Sequence, residues 1–224
     1  MERIYLPNMG PNTDSIPIAL ALGIRECNRH HSAILTLVTP LKDNLDSIII
    51  GEFLGEAVSK RLIKGEEVPL TGDVEGISLK HESMATVQRH QTPDVVLAFY
   101  LSSKHISALD GLNLKSLIYV PWLDDDGKKW ASKWNAETHG KETTDSGINL
   151  QPEVIASLTR LTTCVNLSTG LGHPSDKDRA KRTFSNLRSE SITWIPSEIE
   201  KWAVRNGWKT DDAQELAKLS SRFT

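Results

Sequence analysis

Four short, unbroken apolar runs, set apart by stretches of helical period, restrict this chain to one kind of architecture. The strongest is Val95–Leu101, Val-Val-Leu-Ala-Phe-Tyr-Leu. Ala33–Val38, Leu117–Val120 and the short Ile4–Leu6, ended by Pro7, are the others. A strand with one wet face alternates apolar and polar residues, whereas a continuous run marks a strand buried on both faces. Both faces are covered when crossover helices pack on each side of a parallel sheet.

Between these runs the apolar period becomes helical. Ser15–Arg29 predicts a helix whose Pro17 is tolerated in the first turn. Ser47–Lys64 repeats Ile50, Phe53, Leu54, Ala57, Val58 and Leu62 at helical spacing and stops at Gly65. Val68–Leu79 holds one or two strands around Gly72 and Gly76, and a short helix is expected over Ser83–His90. Ser103 caps a short helix ending near Gly111, and Asp125 or Asp126 opens another in which Trp130 and Trp134 are packing residues. The fold expected for residues 1–136 is therefore α/β, Rossmann-like or flavodoxin-like. It is a mostly parallel sheet of about five strands with helices on both faces.

Residues 137–149 are almost free of apolar side chains and read as a polar linker or lid. Residues 150–224 are helical only and form a separate subdomain. Pro152–Val165 is its first helix. Ser175 with Asp178, and Ser197 with Glu200, have capping-box spacing and open the next two. Asn206-Gly207 closes the third of these helices, and Thr210 opens the last.

Composition narrows the function. A chain of 224 residues buries a core without staples. A net charge of −3 gives no broad positive field, so whole-molecule attraction to nucleic acid is not expected. Cys27 and Cys164 stand far apart with no Cys-x-x-Cys pair, which argues against a disulfide framework and a thiolate zinc site and suits a reducing cytoplasm. The start of the chain lacks the long apolar run of a signal peptide, and no stretch approaches bilayer-spanning length. A cytoplasmic protein without a membrane partner is expected. The histidines lack His-x-x-x-His spacing, so no metal is expected.

Parallel strands send the loops at their carboxyl ends to one rim, where helix N-termini also point. The loop after the first run carries Asn8, Gly10, Asn12, Thr13 and Ser15. Gly10 allows close backbone approach, and the others supply amide and hydroxyl donors for a phosphate or carboxylate; a capped turn uses the same residues for itself. Thr39 follows the second run. Ser102, Ser103, Lys104 and His105 follow the third and offer donors, a cation and a base, or simply a helix cap. After the fourth, Trp122 offers a ring for stacking. Asp124 and Asp125 offer acid–base groups, or an acidic first turn matched to the helix dipole. Gly-x-Gly-x-x-Gly, Gly-x-x-x-x-Gly-Lys-Ser/Thr and Gly-x-Ser-x-Gly are all absent.

Two local resemblances bear on fold alone. Asn12-Thr13, ahead of Ala19, Ala21 and the Ile34 run, resembles the opening of the pyruvate-kinase C-terminal-like fold, although the Gly-x-Thr-Ala turn that follows there is missing. Trp202-Ala203-x-x-Asn206-Gly207 resembles the turn in the DNA-binding domain of actinobacterial nucleoid-bridging proteins. Lys209-Thr210-Asp211-Asp212 stands here in place of that family's Arg-Gly-Arg, so the likeness implies a shared helical hairpin.

The function expected is binding of a small anionic, nucleotide-like ligand at the carboxyl edge of the sheet. Hydrolase or transferase chemistry by His105, Asp124 and Asp125 is an extension of that reading, and no cofactor can be assigned. The alternative is a regulatory or scaffold protein whose C-terminal helices, with Lys177, Arg179, Lys181, Arg182 and Arg188, bind DNA or a partner protein or build a homodimer.

Overall fold

The computed structural model describes residues 1–43, 45, 49–71, 76–87, 92–141 and 147–224. The chain divides into two compact units, Met1–Thr144 and Asp145–Thr224.

The first unit is built on a seven-stranded sheet. Its strands are β1 (Glu2–Tyr5), β2 (Ile34–Thr39), β3 (Val68–Pro69), β4 (Ser78–Ser83), β5 (Val95–Phe99), β6 (Ser116–Val120) and β7 (Glu137–Thr138). Their order is β3-β4-β2-β5-β6-β1-β7. Every pairing is parallel except β3 with β4. The continuous apolar runs sit at the centre, where β5 and β6 are buried along their whole length. β1 does not lie beside β2; β5 and β6 separate them. In both the Rossmann and flavodoxin windings the first strand neighbours the second.

The helices are α1 (Ser15–His30), α2 (Ile49–Leu54), α3 (Glu56–Ile63), α4 (Ser103–Asp110) and α5 (Asp124–Trp134). Ile16, Ala19 and Leu22 of α1, Ile50 of α2 and Leu62 of α3 pack with Ile4, Leu35, Leu37, Leu97 and Ile118 on one face. Ile106 and Leu109 of α4 and Trp130 and Ala131 of α5 pack with Tyr5, Val96, Ala98, Leu117 and Tyr119 on the other. Neighbouring strands β1 and β6 thus feed helices on opposite faces, as do β2 and β5. Such reversals leave crevices at the carboxyl ends of a parallel sheet.

The structure departs from several sequence expectations. The helix expected over Ser47–Lys64 is broken at Gly55, where φ is +82°, into α2 and α3; residues 47 and 48 lie outside the described residues. Ser83 ends β4 and residues 84–87 are turns, while 88–90 lie outside the described residues. The polar segment after residue 136 begins as β7. Backbone pairing to β1, which needs no apolar side chain, holds Glu137–Thr138 there. Residues 142–146 of the expected linker lie outside the described residues.

The second unit contains α6 (Pro152–Cys164), α7 (Pro174–Ser189), α8 (Pro196–Arg205) and α9 (Thr210–Ser220). Val154, Leu158, Phe184, Ile199, Trp202, Trp208 and Leu216 are buried within it. Trp208 Nε1 donates to Thr162 Oγ1 at 2.9 Å. Neither expected capping box forms. α7 starts two residues earlier, with Pro174 at its first position and His173 as the N-cap. α8 likewise starts at Pro196 after Ile195. Proline at the first helical position is preorganised and sacrifices no needed N–H, so it sets both starts. Among the described residues no helix is long and apolar enough to cross a membrane.

Gly127 decides how α5 sits. A Cβ there would lie 2.3 Å from the Tyr5 ring and 2.7 Å from Pro121. Alanine normally favours a helix interior over glycine by about 1 kcal/mol. Forcing atoms into a packed contact costs about 1–3 kcal/mol, so the close approach wins. Gly127→Ala is expected to lower the midpoint of chemical unfolding; a raised midpoint would show that α5 does not press on Tyr5.

Candidate functional site

The chain leaves β1, β5 and β6 at the same edge, and side chains and backbone then tie the three loops together. Gly10 N–H donates to Trp122 O at 2.7 Å. Asn8 Nδ2 donates to Gly10 O at 2.9 Å and to Pro121 O at 2.7 Å. Tyr100 N–H donates to Val120 O at 2.8 Å, and Tyr119 OH donates to Leu101 O at 2.8 Å. The Tyr100 and Trp122 rings meet edge to face at 5.1 Å. Ser103 Oγ reaches Asp126 Oδ1 at 3.4 Å.

Tyr100 is the residue that sequence reading missed. It lies inside the apolar run Val95–Leu101, one residue beyond β5, and reads as one more strand residue, yet its φ is +58°. A left-handed backbone is costly for a bulky side chain and persists only where its surroundings impose it. Its ring is almost fully buried. Its hydroxyl makes no hydrogen bond of good geometry, although the Asn12 backbone and Ser15 side chain lie close enough to favour ionisation. Burial outweighs them and raises its pKa.

Two further polar atoms at this edge are buried without a partner, Asn8 Oδ1 and His105 Nδ1. Buried polar groups are nearly always satisfied, and three exceptions gather around this one set of loops. The remaining predicted residues surround them. Asn12 is half-buried, Thr13 exposed and Ser15 buried. Asn12 Oδ1 accepts from Asp14 N–H at 3.0 Å, and Ser15 Oγ donates to Asn12 O at 2.7 Å. Gly10 has φ +62° and no atom within 4 Å of a Cβ position, so its surface is open. Ser102, Ser103 and Lys104 are exposed, with Ser102 Oγ accepting from His105 N–H at 3.4 Å. Trp122 is 43% exposed, enough to offer a ring edge and part of a face.

Three predicted residues are engaged elsewhere or point away. Asp124 is bound by the Tyr5 hydroxyl and by Lys128 Nζ at 2.6 Å, and those partners hold its carboxyl below the usual range. The Asp125 side chain is 84% exposed. Thr39 is fully buried beneath the β2 loop, where its hydroxyl donates to Leu41 O at 2.8 Å. That hydroxyl must then accept from His81 Nε2, 2.8 Å away, which leaves His81 Nδ1 as a buried acceptor without a partner.

In the second unit the basic side chains of α7 are mostly occupied. Lys177 pairs with Glu215 at 2.8 Å and Lys181 with Asp178 at 2.9 Å, while Arg179 donates to Cys164 O at 2.6 Å. An open cavity of about 730 Å³ lies beside the start of this helix, lined by Asn166, Thr169, Gly172, His173 and Asp176. Among the described residues no three His, Cys, Asp or Glu side chains gather to hold a metal.

Residues 150–224 match the model of a family described as a domain of unknown function, DUF1889. No curated protein and no solved structure matches the chain.

His81 generates a pH dependence. Burial lowers its pKa to about 4 from an ordinary value near 6.5. Between these values the unfolded chain holds the proton and the folded chain does not, so stability falls as pH drops through that window. The His81 contribution is a loss of about 2 kcal/mol between pH 7 and pH 5. His81→Gln should flatten this part of the stability profile measured by urea unfolding, and an unchanged slope would contradict the assignment.

Proposed function

We propose that the first unit binds a small anionic, nucleotide-like ligand at the carboxyl edge of β1, β5 and β6. The observation that carries the reading is Tyr100, whose left-handed backbone holds a buried, unpaired hydroxyl beside Asn12 and Ser15. Asn12, Thr13 and Ser15 stand at the N-terminus of α1, where free N–H groups and the helix dipole favour an anion. Trp122, held edge-on by Tyr100, offers a stacking surface for a planar ring, and Lys104 supplies a mobile cation at the rim. The Rossmann-like element of the reading is the crevice between strands whose helices leave to opposite faces.

Binding is favoured over hydrolysis or group transfer. Among the described residues no hydrogen bond links His105 to Asp124 or Asp125, and a general acid and base must reach the same substrate. The internal pairing of Lys177, Arg179 and Lys181 likewise weakens the reading of α7 as a phosphate-binding surface. A cytoplasmic location fits this reading.

Nucleoside monophosphates are the probe. They should raise the thermal midpoint of the protein, and Asn12→Ala with Thr13→Ala should abolish that rise. Tyr100→Phe removes one unsatisfied hydroxyl and keeps the ring. Its midpoint without ligand should stay level or climb, because an unpaired buried hydroxyl is itself costly, while the ligand-induced rise shrinks. A full ligand-induced rise in these variants, or none in the natural sequence, would remove the proposal.

A further inference from the structure

The carboxyl rim of the first unit carries an apolar patch that the core does not use. Met9 is 73% exposed and Leu123 53%, and neither joins the packed clusters on the two sheet faces. The bond from Gly10 N–H to Trp122 O, 2.7 Å long, sets Met9 beside Trp122 and Leu123 on one stretch of the rim. Leu123 is also the N-cap of α5, a position where its side chain can accept no hydrogen bond. Serine, threonine, aspartate or asparagine is preferred there, because a side-chain oxygen takes up a free N–H of the first turn. Leucine at this position works against the helix it starts. Exposed apolar side chains that gather at one place and break a local preference mark a contact surface.

The patch is continuous with the anion end of the rim. The Trp122 ring meets the Tyr100 ring edge to face at 5.1 Å. The far end of Tyr100, a residue only 8% exposed, is the unpaired hydroxyl beside Asn12 and Ser15. One path therefore runs from the start of α1 through Tyr100 to Trp122, Leu123 and Met9, polar at its first end and apolar at its last. Its size says what covers it. A stable protein interface takes about 20–30 residues a side. Three side chains next to the exposed Thr13 and Asp125 are too few for that, and they suit one aliphatic chain. Methionine, unbranched and flexible, adapts to such a chain.

We propose that the ligand of this rim is an alkyl or acyl phosphate, free or esterified to a nucleoside, whose phosphate sits at Asn12 and Ser15 and whose aliphatic chain lies over Trp122, Leu123 and Met9. The proposal rests on the anion-binding reading of the rim and adds the chemistry of the rest of the ligand. Phosphate and chain are held by different residues, so their contributions separate in a chain-length series.

The test is calorimetric titration of the full chain with adenosine monophosphate, ethyl phosphate, octyl phosphate and octanol, all below the concentration at which micelles form. Octyl phosphate should bind about tenfold or more tighter than ethyl phosphate. Octanol, which has the chain without the anion, should bind far more weakly than octyl phosphate. Leu123→Ser places a preferred cap at the start of α5 and so keeps the fold. Combined with Met9→Ser, it should cut the advantage of octyl over ethyl phosphate to about threefold or less. Leu41→Ser, which changes another exposed leucine on the loop after β2, should leave that advantage as it is. Binding of adenosine monophosphate with no gain from ethyl to octyl phosphate would overturn the chain and leave the anion reading standing. Absence of saturable binding by every phosphate would remove both. An undiminished gain in the double variant would overturn the proposal, as would sedimentation with phosphatidic acid vesicles without binding of octyl phosphate, which would put the chain in a membrane.

Discussion

The parallel hydrogen bonding of β1 to β6 is the constraint on which the candidate site rests. It brings the first and last thirds of the α/β unit side by side in register, Glu2 against Ser116 through Tyr5 against Tyr119. Because the two strands run the same way, the loops that follow them leave at one edge. The helices that follow them cover opposite faces of the sheet. The contacts from Gly10 to Trp122 and from Asn8 to Pro121 are consequences of that pairing. Tyr100 enters from β5, the next strand along, and completes the cluster.

Packing fixes how close these parts come. Gly127 lets α5 settle on the Tyr5 ring, which places the Tyr5 hydroxyl on Asp124. That contact and Lys128 occupy the first acidic group after β6, so the rim is less negative than three successive aspartates suggest. On the opposite side of the same face, Asp110 receives Arg3 Nε at 2.8 Å and Trp130 Nε1 at 2.6 Å, while the Arg3 guanidinium lies 3.7 Å over the Trp134 ring. Burial still pushes the Asp110 carboxyl up, its partners offsetting only part of the desolvation. This cluster anchors β1 to α4 and α5.

The sequence made the mostly parallel sheet readable because β2, β5 and β6 are short, largely apolar runs without a wet face, the pattern of strands buried on both sides. It did not reveal strand order, since nothing in Ile4–Leu6 says that β1 pairs beyond β6. β7 was hidden because an edge strand made of Glu137 and Thr138 carries no apolar signal. The starts of α7 and α8 were legible in Pro174 and Pro196, but serine-based capping patterns one residue later competed with them. Asn8, Gly10, Asn12 and Ser15 were visible as loop chemistry. Tyr100 was not, because left-handed backbone at a tyrosine leaves no trace in composition or period.

The central claim is that three loops from separate parts of the chain form one ligand-binding rim. Amide chemical-shift mapping with a nucleoside monophosphate tests it most directly. The account predicts that residues 8–15, 100–105 and 121–123 shift together with a single saturation curve, while the amino-terminal ends of the same strands stay still. Shifts confined to one loop, gathered at the opposite edge, or absent altogether would contradict it.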